Sequence, residues 1–175
     1  PMEQCEPLEY RLPSFDLTLQ FLPTDFVQVN GPLNLQMIDR AVQLLELTPH
    51  DRVLDLFCGL GNFSLPLARR AGQVVGVEGE AGLVARAREN AARNGLGNAQ
   101  FFTANLADES IGSALWAGKF DKVLLDPPRA GAKEVLPVVA KSGAGTVLYI
   151  SCHPGSLARD AGILVHEHGY KLQSA

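Results

Sequence analysis

The chain predicts an α/β fold built on a doubly wound, mostly parallel sheet, and three observations carry that reading. From residue 50 onward, short apolar runs alternate with Ala-, Leu- and Arg-rich stretches of helical spacing, at a period of roughly 25 residues. The apolar runs are nearly continuous instead of alternating, as strands covered on both faces require. The stretches between them carry helix stops such as Asn94-Gly95. Strand–helix alternation of this kind gives βαβ units, whose crossovers are right-handed and whose sheet is parallel.

Taken in order, the expected strands are Arg52–Phe57, Gln73–Glu78, Ala99–Ala104, Phe120–Asp126 and Thr146–Ser151. Between the second and third, Leu83, Ala87 and Ala91 share one helical face, and Asn94-Gly95 stops the helix. The first fifty residues read differently. Asp16–Phe21 alternates like a strand, Phe26–Val29 forms a second short one, and Asn34–Leu47 has helical periodicity. Leu35, Ile38, Val42 and Leu45 would line that helix's buried face, with Asn34 as its N-cap. Residues 1–14 are rich in Pro and Glu, so 1–24 is expected to be linker and the edge of a preceding domain, with one catalytic domain over 25–175. At the far end, Gly169-Tyr170-Lys171-Leu172-Gln173 is expected to begin a sixth strand. The sheet would then lack its last strands and leave an unpaired edge, and the chain reads as a fragment.

Composition narrows the function classes. A domain of 175 residues removes roughly 70% of its unfolded surface from water and needs no covalent or metal staple. The net charge of −4 comes without a basic run of the kind that binds nucleic acid or an acidic tail. No apolar run approaches the ~20 residues of a membrane span, and the first residues lack the basic start and apolar core of a signal peptide. Cys5, Cys58 and Cys152 are odd in number and far apart, with no C-x-x-C pair. Neither a disulfide framework nor a metal site follows, and a reducing, cytoplasmic setting is expected.

The chemistry-bearing residues collect at the ends of the expected strands. Asp55-Leu56-Phe57-Cys58-Gly59-Leu60-Gly61-Asn62-Phe63-Ser64 is a strand ending in a carboxylate, a Gly-x-Gly turn and a helix start. Glycines there let backbone approach a ligand where a Cβ would collide. Ser64 stands where the dinucleotide fingerprint has its third Gly, which weakens a nicotinamide reading. Glu78 closes the second strand, placed to accept ribose hydroxyls of an adenosine-type ligand. Asn105 follows the third strand, where it either reads an adenine edge or simply forms a turn. Asp126-Pro127-Pro128-Arg129 closes the fourth strand, and the two prolines hold Asp126 at the sheet edge. Ser151-Cys152-His153-Pro154 closes the fifth. A thiol on a loop opening a helix, with Arg159 and His153 near in sequence, is a candidate nucleophile of lowered pKa.

Other residues have plainer readings. Cys58 is expected to pack, and Trp116 to pack under a loop. Arg86, Arg88 and Arg93 read as a solvated helix face. His166 and His168 read as cations near a helix C-terminus, too differently directed to share a metal.

Together these motifs closely resemble the bacterial RNA uracil-C5 methyltransferases. The resemblance rests on Asp55 to Phe63, Val77-Glu78, Asn90 with Asn94-Gly95-Leu96, Leu125 to Arg129 with Gly131, and Ser151-Cys152-x-Pro154 followed by Leu157-Ala158-Arg159-Asp160. It runs from about Asp25 to Tyr170, and the wording is nearer the branch that modifies 23S ribosomal RNA than the tRNA branch. The resemblance implies a Rossmann-like class I methyltransferase fold and S-adenosyl-L-methionine as methyl donor. It places Gln28, Phe57, Asn62, Glu78, Asn105 and Asp126 at the donor site, beside the Asp55, Gly59 and Gly61 of the turn, and makes Cys152 the nucleophile that adds to uracil C6. It also implies that the family's RNA-binding domain and iron–sulfur cysteine cluster precede this segment, and that its general-base glutamate lies beyond residue 175. His153 departs from the more usual Asn after the nucleophile. Methylation of a base nitrogen would want an aromatic where Arg129 stands and would give Cys152 no task. A binding module without turnover remains as the non-catalytic alternative.

Overall fold

The computed structural model describes residues 7–28, 30–107 and 118–175. Cys5, Val29 and Trp116 lie outside the described residues, and so do their expected roles. Strands β3 (Arg52–Leu56), β4 (Gln73–Glu78), β5 (Ala99–Thr103), β6 (Lys122–Leu125) and β7 (Thr146–Tyr149) form one sheet in the order β5-β4-β3-β6-β7. Every pairing in it is parallel. Chain order runs outward from β3 to β4 and β5, then jumps back across β3 to β6. The switch point therefore lies between β3 and β6, and crevices at the carboxyl ends of such strands are where ligands of open α/β sheets bind.

Strand composition explains the two layers. Val53 and Val74 turn to one face, Leu54, Leu56, Val75, Val77, Val123 and Leu125 to the other, and all are buried. The first face is covered by α1 (Gly31–Leu45), α2 (Ser64–Ala68) and α3 (Ala81–Arg93). The second is covered by α4 (Leu136–Lys141) and α5 (Pro154–His166). Within α3, Leu83, Ala87 and Ala91 are buried as their spacing predicts. The α1 face is centred differently from the expected one: Asn34, Ile38, Ala41 and Leu45 are buried, while Leu35 and Val42 lie at its margin.

The lead-in corrects three expectations. Residues 8–12, expected to be linker, form strand β1 (Leu8–Leu12), paired antiparallel with β2 (Leu17–Phe21). The hairpin buries Leu12, Leu17 and Leu19 in the same core as α1 and α3. Its β2 edge is sealed by two side-chain amides, one on α3 and one at its C-cap. Asn94 accepts from Thr18 N at 3.0 Å and donates to its carbonyl at 2.8 Å, and Asn90 does the same for Gln20 at 2.8 and 3.1 Å. Spaced one helical turn apart, the two amides imitate a neighbouring strand and satisfy backbone groups that an edge would expose. Phe26, Val27 and Gln28 are not a strand, and Phe26 is 78% exposed. The N-cap of α1 is Asn30, whose side chain accepts from Leu33 N at 3.2 Å, because Pro32 fits only the first helical turn.

No sixth strand follows α5 among the described residues. Gly169, at φ +76°, turns the chain so that Tyr170 N donates to Leu164 O at 3.0 Å. The Tyr170 hydroxyl then reaches Ala144 O at 3.0 Å, and Leu172 is left 67% exposed. The segment is held by that tyrosine instead of a ladder. No helix among the described residues is long and apolar enough to cross a membrane.

Candidate active site

The carboxyl ends of the five parallel strands gather the site. After β3 the chain makes a tight turn: Phe57 N and Cys58 N both donate to Val77 O, at 2.9 and 3.1 Å, and Gly61 N donates to Cys58 O at 3.0 Å. Phe57, Gly59 and Gly61 all have positive φ, at 66°, 55° and 99°. A non-glycine residue held there is a strained position of the kind that recurs at ligand sites. A Cβ at Gly61 would lie 3.1 Å from the Leu65 side chain, so that glycine is needed for packing as well as for its dihedral. At Gly59 a Cβ would meet nothing within 4 Å, leaving open space over the turn.

Glu78 ends β4 and braces this turn. One carboxylate oxygen accepts from Gly59 N at 3.1 Å, and the other from Gly79 N at 2.7 Å and Glu80 N at 3.1 Å. Three of its roughly four acceptor positions are thus filled by backbone, leaving one outward. Asp55 is fully buried beneath the turn. Its Oδ2 accepts from the Ser64 hydroxyl at 2.5 Å, while its Oδ1 has no partner among the described residues. Burial pushes the Asp55 carboxyl up to about 7, opposed by the Ser64 hydrogen bond and reinforced by the negative charges of Asp126 and Glu78. Burial likewise raises Asp126, at the end of β6, to about 6. Asp126 and Glu78 thus both act on the buried Asp55, and their negative charges make that carboxyl harder to ionise.

Asn62, expected at the donor site, is already engaged. Its amide pairs reciprocally with that of Asn34 on α1, both bonds at 2.9 Å, and its Oδ1 also accepts from the Tyr10 hydroxyl at 2.9 Å. The side chain ties the turn to α1 and to the hairpin. Asn34, expected as a helix cap, is a buried partner within this network, and sequence reasoning missed it together with Tyr10. The only signal was a polar residue on the apolar face of α1. Asn105 is exposed after β5, and its Oδ1 accepts from Ala107 N at 3.1 Å, the turn-forming alternative. Gln28 is half-buried on the segment before α1, with no hydrogen bond to the other candidates among the described residues.

Cys58 packs as expected. It is buried, its sulfur fills the space left by Gly76 on β4, and burial drives its thiol well above the ordinary range. Cys152 is exposed. It lies past the end of β7, the strand beside β6 whose end Asp126 follows, so residue 152 falls on the same sheet edge as the glycine turn. The expected cationic neighbours are placed otherwise. Arg159 binds Asp160 and the Ala130 carbonyl, and His153 serves as the N-cap of α5, its Nδ1 accepting from Ser156 N at 3.1 Å. Arg86, Arg88 and Arg93 are more than a solvated face. Arg86 bridges Asp25 and Glu89, Arg88 donates to Phe101 O, and Arg93 donates to Gln20 Oε1. His166 is the last residue of α5 and His168 lies beyond it.

A family model described as tRNA (Uracil-5-)-methyltransferase matches residues 10–172. The chain is 60% identical over 169 residues to the 23S rRNA (uracil(1939)-C(5))-methyltransferase RlmD of Xanthomonas axonopodis pv. citri (strain 306). That match covers 97% of this chain and 38% of the relative, so the chain spans well under half the length of the protein it matches. The Pyrococcus abyssi tRNA (uracil-54, C5)-methyltransferase, solved in complex with S-adenosyl-L-homocysteine, superimposes with a TM-score of 0.75 at 28% identity. It covers 90% of this chain and 38% of that one. A T. thermophilus 16S rRNA N2 methyltransferase, solved with AdoMet and guanosine, gives a TM-score of 0.64 at 26% identity, covering 81% and 40%. The architecture is that of class I S-adenosylmethionine-dependent methyltransferases.

Proposed function

The chain belongs to the tRNA (uracil-5-)-methyltransferase family, and from that premise we propose that this chain, its N-terminal hairpin included, carries the catalytic domain of an RNA uracil-C5 methyltransferase acting on 23S ribosomal RNA in the cytoplasm. The observation that carries the proposal is the exposed Cys152 thiol, on the strand end beside Asp126 and on the same sheet edge as the glycine turn. The 60% identity to an enzyme named for 23S rRNA, against 28% to one named for tRNA, favours the ribosomal substrate.

The residues present fit S-adenosylmethionine. Open space lies over Gly59, and the buried Asp55 Oδ1 lacks a partner. Asp126 and Glu78 raise the cost of ionising Asp55, and none of the three carboxyl groups is ion-paired among the described residues. A ligand with sulfonium and ammonium charges relieves that repulsion. Phe57, Gly59, Gly61, Glu78, Asp126 and Gln28 would hold it, whereas the side-chain oxygens of Asn62 and Asn105 are already taken by Asn34, Tyr10 and Ala107. When bound, S-adenosylmethionine supplies an electrophilic methyl group.

The chain's own part follows from the chemistry of uracil, whose C5 is too weakly nucleophilic to accept that methyl unaided. The Cys152 sulfur adds to C6, and the electron pair of the C5–C6 bond becomes available at C5, splitting one hard step into easier ones. C5 would then take up the methyl carbon as that carbon's bond to the donor sulfur breaks, the electron pair staying on sulfur, so this edge must hold the ring with C5 facing the turn. Loss of the C5 proton to a base restores the double bond and expels Cys152. No side chain of this edge is assigned to that proton.

The test is transfer of labelled methyl from S-adenosylmethionine by the whole protein to 23S rRNA and tRNA transcripts. Label at uracil C5 of 23S rRNA is expected. Label on tRNA alone would overturn the substrate, and label on a base nitrogen would overturn the chemistry.

A further inference from the structure

The loop after Asp126 is gripped by a side chain that none of the roles above uses. Asp160, near the middle of α5, is wholly buried. Its Oδ2 accepts from Ala132 N at 2.7 Å and from the Tyr149 hydroxyl at 2.6 Å, and its Oδ1 accepts from Arg159 Nε at 2.8 Å. Arg159 reaches further, donating through Nη2 to Ala130 O at 2.8 Å. One carboxyl group thus joins three segments: the loop leaving Asp126, the last residue of β7 just before the Cys152 loop, and the helix that follows Cys152. Gly131 sits between the two gripped residues at φ +92°, and a Cβ there would lie 2.5 Å from Asp160 Oδ2. The loop passes this close because residue 131 has no side chain.

We propose that Asp160 is a positioning residue for the covalent step. By fixing residues 130–132 against Tyr149 and Arg159, it sets the Asp126 loop in one register with the strand and helix that flank Cys152. The inference rests on the reading above that Cys152 attacks uracil. Thiol addition at C6 and methyl transfer to C5 act on adjacent ring atoms from two different loops. A shift of about 1 Å between those loops misaligns one step or the other, and such misplacement lowers rates by about 10²-fold. The prolines at 127 and 128 stiffen the start of the loop, and Asp160 anchors its far end. Burial and the Asp160 contact both raise the Tyr149 hydroxyl above its ordinary range, which keeps it protonated as a donor.

The test uses the whole enzyme with Asp160→Ala, Asp160→Asn and Tyr149→Phe. Two readouts are compared: affinity for S-adenosylhomocysteine, and the rate of covalent adduct formation with RNA carrying 5-fluorouracil at saturating cofactor and RNA. In that substrate fluorine replaces the C5 hydrogen, so the adduct persists after methyl transfer because fluorine cannot leave as a cation. Asn retains an oxygen for Ala132 and Tyr149 but turns a donor toward Arg159, so it should fall between wild type and Ala. Adduct formation is expected to slow roughly tenfold in Tyr149→Phe and about 10²-fold in Asp160→Ala, with cofactor affinity within about threefold of wild type. Wild-type adduct rates in Tyr149→Phe and Asp160→Asn would overturn the proposal, as would equal losses in both readouts. Should Asp160→Ala fail to fold, Tyr149→Phe decides, since it removes a single hydroxyl. A wild-type enzyme that forms no adduct would overturn the nucleophile reading itself, and the positioning role with it.

Discussion

Asp126→Asn should make the fold more stable at pH 8 while weakening the cofactor site. Burial raises the Asp126 carboxyl from its ordinary 3.8 to about 6, so the folded state holds this proton more tightly than the unfolded chain does. The sign follows from linkage. Stability contributed by the protonated group is complete below pH 3.8 and is lost as pH rises through about 6. Each tenfold gain in proton affinity is worth about 1.36 kcal/mol, which sets a ceiling of about 3 kcal/mol. Solvent at the partly exposed carboxyl brings the expectation down to about 1.5 kcal/mol. Asn keeps the shape without the charge and also removes one of the repulsions that raise Asp55. Thermal unfolding of this chain at pH 8 should therefore show a Tm higher by roughly 3–6 °C than wild type, shrinking toward zero near pH 4. Calorimetric titration at pH 8 should show weaker S-adenosylmethionine binding in the same variant. A stability change of equal size at both pH values, or destabilisation at pH 8, would refute the electrostatic argument.

The remaining predictions share the same geometry. Because Asp126 and Asp55 titrate near 6 and 7 and a cationic ligand favours their ionised forms, S-adenosylmethionine affinity should fall as pH drops from 7.5 to 5.5. Titrations in buffers of different ionisation enthalpy should then detect proton release on binding, and a pH-independent affinity would contradict the cluster. Gly61→Ala strains a φ of +99° and crowds Leu65, so it should lower stability by about 1–3 kcal/mol in urea unfolding and reduce cofactor affinity as well. Asn90→Ala removes both bonds to Gln20 and one to Leu60 O, so it should destabilise by about 2–3 kcal/mol. Hydrogen exchange should then show the β2 amides opening before the parallel sheet does.

How much of this was legible in the sequence varies with the kind of force involved. The five parallel strands were readable because burial on both faces forces continuous apolar runs, and Gln73–Glu78 matches β4 to the residue. That Asp55, Glu78, Asp126 and Cys152 come to one sheet edge was readable because strand ends in such a sheet converge there. The lead-in was less legible. Leu8–Leu12 is a strand because Leu17–Phe21 pairs with it, and the far edge of Leu17–Phe21 is closed in turn by Asn94 and Asn90, 76 and 70 residues away in sequence. The same holds for Asn34, which reads as a cap locally yet pairs with an amide 28 residues away. Asp160 stood in view only as part of the resemblance, since Ala132 and Tyr149 reach it through tertiary packing alone. The segment after Gly169 shows the reverse: the pattern suits a strand, but no ladder forms and Tyr170 anchors the segment instead.

The most direct measurement of the central claim is covalent trapping with Cys152→Ala in the whole enzyme. Incubated with S-adenosylmethionine and RNA carrying 5-fluorouracil, the wild-type protein should shift to a denaturation-resistant RNA–protein band, and Cys152→Ala should give none while still binding S-adenosylhomocysteine. An adduct of undiminished yield in Cys152→Ala would contradict the account, because the bond to C6 would then come from a different side chain.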